Sequence, residues 1–221
     1  MFVGHYSVAF AAKSERNRIR LWVLFVAVQL VDFIWAILVL LGIEKVRIVP
    51  GITAASPLDL YYMPYTHSLI GALIWSVLAA FVYKMTRGVN ASRAAALIVG
   101  FAVFSHWILD LIVHRPDLAI YDDTWKVGFG LWNYKGLEFG LEIALLLGGL
   151  IIYLQRNSGI STARKAGIVV FALFMVLVQT TSTFFGRPHS SDRAVAITAL
   201  AAYTVFAGLA FLLEKRRRSY G

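Results

Sequence analysis

The chain is 221 residues long, 59% hydrophobic and only 15% charged, with a mean hydropathy of +0.72, which excludes an ordinary water-soluble globule. Lys and Arg outnumber Asp and Glu by 21 to 12, but they sit in short clusters between long apolar runs, the pattern of membrane topology and not of a nucleic-acid groove, so no nucleic-acid partner is expected. The absence of cysteine excludes disulfides, thiolate metal sites and cysteine nucleophiles, so any metal must be held by His, Asp or Glu.

In chain order, residues 1–12 (MFVGHYSVAFAA) are apolar but too short to cross a bilayer. They form either an interfacial arm or a half-helix that re-enters the membrane and carries His5 toward its middle. A hydrocarbon core of about 30 Å needs roughly 20 apolar helical residues. Six stretches have that length: 21–41, 65–83, 94–113, 131–154, 166–185 and 194–213. All five prolines (Pro50, Pro57, Pro64, Pro116, Pro188) fall in the first, third and fifth connections, which share one side. Fourteen of the 21 Lys and Arg lie on the other side, in the N-terminal arm (Lys13, Arg16, Arg18, Arg20), the second and fourth connections (Lys84, Arg87, Arg93; Arg156, Arg164, Lys165) and the tail (Lys215, Arg216, Arg217, Arg218). Both termini are therefore expected in the cytoplasm, with the tail also drawn to anionic lipid head groups. The first span is too long for a signal-peptide core, contains Gln29 and Asp32 and is followed by no small-residue cleavage pattern, so it is expected to be retained. No repeat or linker divides the chain. The expectation is a single all-α membrane domain over 1–221, a polytopic bundle of about six transmembrane helices plus a short N-terminal half-helix. Residues 1–155 carry the polar site, and 156–221 supply two scaffold spans, whose polar residues run from Gln179 to Thr183, and the basic tail.

An ionisable side chain inside a span costs about 2.5 to 3.5 kcal/mol on insertion scales, so such residues face the bundle interior and mark a site or pathway. Here Asp32 lies in the first span, His67 opens the second, the third reads FSHWILDLIVHRPD and the fourth contains Glu138 and Glu142. At about 1.5 Å per residue, Asp32 and His106 each sit roughly 18 Å from the cytoplasmic face, and Asp110 one turn beyond. Four spans thus place acids and imidazoles in one outer layer. In the third span the spacing of His106, Asp110 and His114 puts all three side chains on one helix face, within reach of one ion or a pair. Imidazole and carboxylate suit Zn, Mn, Fe or Ni, with Zn expected first and Mn second. Trp107, Trp132, Tyr61, Tyr62 and Tyr65 read as an aromatic belt, and Asp117, Asp122, Asp123, Arg187, His189, Asp192 and Arg193 as solvated loop residues.

The order of motifs, Gly4-His5, LVDFIW, MPYTHSLIGAL, SHWILDLIVHRPDL and then GLWN before a Glu-containing span, resembles the bacterial family of membrane-bound, metal-dependent hydrolases. Some of its members are described as LexA-binding, inner-membrane-associated hydrolases. The similarity covers roughly residues 1–155, and its most specific parts are THS and SHxxxD. The resemblance implies an inner-membrane location and a hydrolytic metal site with His5, Asp32, His67, His106 and Asp110 at the family's His and Asp positions. The family's acidic segment corresponds to Asp32 or to Pro57-Leu58-Asp59, and Met63-Pro64 stand where the family has His-Arg.

Three functions are compatible with these residues. The first is metal-assisted hydrolysis of an ester or phosphoester, on a lipid or lipid-linked substrate, with His5, His67, His106 and Asp110 as ligands and Asp32 or Glu142 accepting a proton. The second is a proton- or cation-coupled transporter using the same cluster, which would need polar residues continuing into the cytoplasmic half. The third is a non-catalytic scaffold, for which six or more ionisable groups are a costly way to fix packing.

Overall fold

The computed structural model describes residues 1–88, 92–186 and 188–214; Arg187 and the tail Lys215, Arg216, Arg217 and Arg218 lie outside the described residues. The chain is an all-α bundle with one small sheet. Its elements are α1 (Tyr6–Ala12), α2 (Leu21–Val28), α3 (Leu30–Leu40), the strands β1 (Lys45–Ile48) and β2 (Leu58–Tyr62), then α4 (Leu69–Arg87), α5 (Arg93–Val113), α6 (Lys135–Arg156), α7 (Thr162–Phe185) and α8 (Asp192–Glu214). α4 to α8 are each long and apolar enough to cross a membrane, and α2 with α3, bent by 52°, brings the count to six if the pair crosses as one span. Apolar side chains such as Val77, Phe81, Leu97, Phe101, Val170, Leu173 and Leu212 are exposed along these helices, as expected where lipid replaces water. The protein is a multi-pass membrane protein.

The first span departs from the uninterrupted helix expected over 21–41. It breaks at Gln29 and turns by 52° between α2 and α3. The Gln29 side chain is buried and donates from Nε2 to the Phe2 carbonyl (3.3 Å), while the Val28 carbonyl accepts from His106 Nδ1 (2.8 Å), so side chains and a neighbouring segment enter the helix ladder at the bend. The second helix starts at Leu69, not 65, because Pro64 is unsuited to a helix interior and Ser68 caps the helix, accepting from the Gly71 amide at 2.9 Å. His67 consequently lies just before the helix and not two residues inside it. The fourth span begins at Lys135, after a 3-10 turn over Leu131–Asn133 entered through Gly130 at φ 75°.

Residues 1–12 settle the alternative left open by composition: a 3-10 turn over Val3–His5 and then α1 dip into the bundle, with Val3, Gly4, His5, Tyr6, Ala9 and Phe10 all buried. α1 lies against α6 at Gly149, where a Cβ would stand 2.7 Å from Ser7 Cα. Tyr6 and Phe10 pack on Phe25, and Phe10 on Tyr153, at centroid distances of 4.7, 5.2 and 5.7 Å. Glu142 on α6 accepts from the amides of Phe2 (2.9 Å) and Gly4 (2.8 Å), satisfying donors that a helix start leaves open. This arm fixes His5 inside the membrane domain. At the opposite end, β1 and β2 form an antiparallel hairpin over the bundle mouth, with Arg47 opposite Asp59 and Ile48 opposite Leu58.

Candidate metal centre

Four elements deliver the polar residues the sequence singled out to one buried point. Asp110 is its hub. Its Oδ1 lies 3.1 Å from His5 Nε2 and 2.9 Å from the Met1 nitrogen, and its Oδ2 lies 3.1 Å from His106 Nε2, 3.5 Å from His114 Nε2 and 3.8 Å from His67 Nε2. Asp32 Oδ1 faces His67 Nε2 at 3.2 Å and His106 Nε2 at 3.5 Å, and its Oδ2 accepts from the Tyr203 hydroxyl at 2.8 Å. Two overlapping triads, His5 with His106 and Asp110, and Asp32 with His67 and His106, hold their donor atoms within 4.8 Å of one another. His5 and His106 stack at 3.8 Å with an interplanar angle of 7°.

The hydrogen bonds behind the cluster select its tautomers. A carbonyl cannot donate, so His106 Nδ1 carries the proton it gives to Val28, and in the neutral ring Nε2 presents a lone pair to the two carboxylates. Thr66 Oγ1 donates to Glu44 Oε2 (2.6 Å), so it accepts from His67 Nδ1 (2.8 Å); the chain Glu44, Thr66, His67 again leaves Nε2 facing inward. His114 Nδ1 is held by Asp117 Oδ1 at 2.9 Å. An outer acceptor on Nδ1 with Nε2 turned to a common centre is the arrangement by which proteins orient metal-binding imidazoles.

The residues fit a divalent cation on a further ground. His5 Nδ1 is buried without a hydrogen-bond partner, and His5 Nε2 and His106 Nε2, equally buried, meet Asp110 oxygens at 3.1 Å without hydrogen-bond geometry. Such orphaned donors and acceptors are costly unless something satisfies them. Outside the spanning segments, burial lowers the His114 pKa, yet the charges and hydrogen bonds of Asp110 and Asp117 outweigh it and raise it above its ordinary value. Burial pushes Glu44 up, partly offset by His67 and by the donors of Thr66 and Tyr65. The carboxylates of Asp110 and Asp32 are met by the Met1 nitrogen and by the imidazoles of His5, His67 and His106.

The cluster forms the inner end of a cavity of about 800 Å³ whose walls come from α3, α6, α7, α8 and the hairpin. Glu138 and Glu142 both border it, and His189 stands exposed at its edge. Several residues stand elsewhere than the sequence suggested. Trp107 and Trp132 are not at a lipid interface: the first donates to the His67 carbonyl (3.0 Å), and the second packs on the His114 ring at 4.0 Å. Asp117 is buried and not solvated, tied to His114 and to Arg115, which also pairs with Asp59. Tyr203 on α8 and Gln179 on α7 line the cavity wall. Glu44, Thr66 and Tyr203 were missed; for Thr66 the available signal was its place in the THS motif, next to His67. Comparison of the chain with family models, with curated proteins and with solved structures finds no match.

Proposed function

We propose that this protein is a membrane-embedded, metal-dependent hydrolase acting on an ester or phosphoester of a lipid or lipid-linked substrate. One observation carries the reading. Three imidazoles with their Nδ1 atoms engaged from behind turn Nε2 toward two carboxylates, at the buried end of a cavity large enough for a substrate head group. His67, His106 and Asp110 are the central ligands, with His5 on the other oxygen of Asp110 and His114 as a further imidazole. The donor set of nitrogen and oxygen suits Zn first and Mn second.

A divalent ion held by His67, His106 and Asp110 would supply an acidified water and polarise the scissile group. The chain's own residues do the rest. Asp32 accepts the proton as the water oxygen bonds to phosphorus or to the acyl carbon and the bond to the alcohol oxygen breaks; the same proton then passes to the leaving oxygen. The Tyr203 hydroxyl holds Asp32 in place at 2.8 Å. Glu142 borders the same cavity, but its two oxygens already accept backbone amides, which favours Asp32 for the proton and Glu142 for anchoring the arm. Water is excluded from behind by Tyr6, Phe10, Leu24, Phe25 and Val103, all buried. This apolar plug also disfavours the transporter reading, which needs a second polar vestibule.

The resemblance to bacterial membrane-bound hydrolases and the Lys/Arg distribution support placing the protein in the inner membrane with cytoplasmic termini and the cavity outward. Metal content of detergent-purified protein, measured by elemental mass spectrometry, tests the reading. About one or two equivalents of Zn or Mn are expected, lost in His106→Ala/Asp110→Ala together with hydrolysis of nitrophenyl esters or phosphoesters. Unchanged metal and hydrolysis in the double variant would overturn it.

A further inference from the structure

Beyond the metal cluster, the cavity continues between the outer halves of α7 and α8. The two helices meet through their inner halves. Leu213 lies beside Gly167, and Phe206 packs on Phe171 and Phe174 at 5.9 and 6.1 Å. Toward the other end the cavity separates them, lined by Gln179, Ser182 and Thr183 from α7 and Thr198, Ala199 and Ala202 from α8. Small side chains on α8 leave this slot open. At about 1.5 Å per residue, Gln179 lies roughly 9 Å inside the end of α7, and Ala199 roughly 10 Å inside the start of α8. The slot is therefore at the depth of the hydrocarbon, where the molecules available to enter sideways are lipids.

Its chemistry is mixed. Ser182 and Thr198 are exposed, but Gln179 is only 5% exposed. One arm of its amide is held by Thr183 Oγ1 at 3.3 Å, and the other is buried without a hydrogen-bond partner. A buried amide facing a cavity at membrane depth carries a desolvation cost that a ligand hydroxyl removes, whichever way the amide is turned, because a hydroxyl both donates and accepts. Lys135 borders the same cavity and suits an anionic phosphate nearby.

We propose that the α7–α8 slot is a lateral entry for a glycerophospholipid, and that Gln179 selects a head group bearing a free hydroxyl beyond its phosphate. The phosphate lies toward the His/Asp cluster, the head-group hydroxyl bonds the unpartnered arm of Gln179, and the acyl chains leave between α7 and α8. The placing of the phosphate rests on the metal-hydrolase reading; the slot and the hydroxyl selection do not.

Phosphatidylglycerol and phosphatidic acid with the same acyl chains are the probes, and lipid retention by purified protein in native mass spectrometry is the readout. Wild type is expected to hold phosphatidylglycerol about tenfold better than phosphatidic acid. Gln179→Leu should remove that preference by weakening phosphatidylglycerol alone, and Ala199→Trp, which fills the slot, should weaken both lipids about tenfold or more. Ala202→Leu is a milder filling that keeps the test valid should the tryptophan variant not fold. No preference in wild type, a preference kept in Gln179→Leu, or retention unchanged by a folded slot-filling variant each overturns the proposal. Metal content is read on the same samples. Lipid selection without stoichiometric metal removes the hydrolase reading and leaves the slot, and bound metal with slot-independent lipid retention does the reverse.

Discussion

At the scale of single residues, the cluster depends on partners that never touch the reacting atoms. Thr66 is the clearest, because its hydroxyl both accepts from His67 and donates to Glu44. Thr66→Val keeps the shape and removes both bonds, so His67 is no longer fixed with Nε2 inward and Glu44 loses a donor. Zn affinity, read by competition with a chromogenic chelator, should fall about 10- to 100-fold, the usual cost of losing an outer partner. Thr66→Ser should restore most of it. Equal affinity in wild type and the valine variant would remove His67 from the site. Asp32, His106 and Asp110 stood out in the sequence because an ionisable group inside an apolar span has few alternatives to a function, whereas His5 and His67, outside any long helix, stood out through the resemblance and the THS motif; the fold gathers all five in one buried cluster. Glu44 and Asp117 did not, because an acid in a connection ordinarily meets water; only the folding of both connections over the bundle mouth buries them.

At the scale of elements, the N-terminal arm decides whether His5 belongs to the centre. It is held by the Glu142 carboxylate at its start and by close contact with α6 along its length. Gly149→Val inserts a branched side chain where even a Cβ would stand 2.7 Å from Ser7 Cα, and backbone cannot yield as a side-chain tip can. Overpacking of this kind costs about 1 to 3 kcal/mol. The expected outcome is a lower melting temperature together with weaker metal retention, because α1 moves off α6 and takes His5 with it. The companion variant His5→Ala should weaken metal retention without the thermal loss. A Gly149→Val protein with wild-type stability and metal would show that the arm is not seated on α6. Helix lengths followed from runs of apolar residues, but the break at Gln29 did not, because glutamine is an ordinary helix former. What bends the span is tertiary: Phe2 and His106, distant in sequence, bond into it at that point.

At the scale of the whole molecule, a multi-pass bundle of five to six spans was legible because hydrophobic length against bilayer thickness leaves little freedom. The lateral slot was not, because the small residues of α8 read equally well as a packing face. Orientation governs which leaflet supplies the substrate. The cluster, hairpin and slot all lie at the end of the bundle where the first, third and fifth connections run, and among the described residues ten Lys and Arg lie toward the other end against six at this one. In the orientation proposed above, with positive charge toward the cytoplasm, the cavity opens on the outer side. The absence of native cysteine makes this directly testable with single introduced thiols. Ser190 is exposed in the fifth connection and Ser158 in the fourth. In intact cells whose outer barrier has been permeabilised, a membrane-impermeant maleimide should label Ser190→Cys and spare Ser158→Cys until the inner membrane is also opened. The reverse labelling would invert the bundle and route the substrate from the cytoplasmic leaflet. The charge distribution argues against that outcome, since inversion would place ten of the described Lys and Arg outside and leave six within.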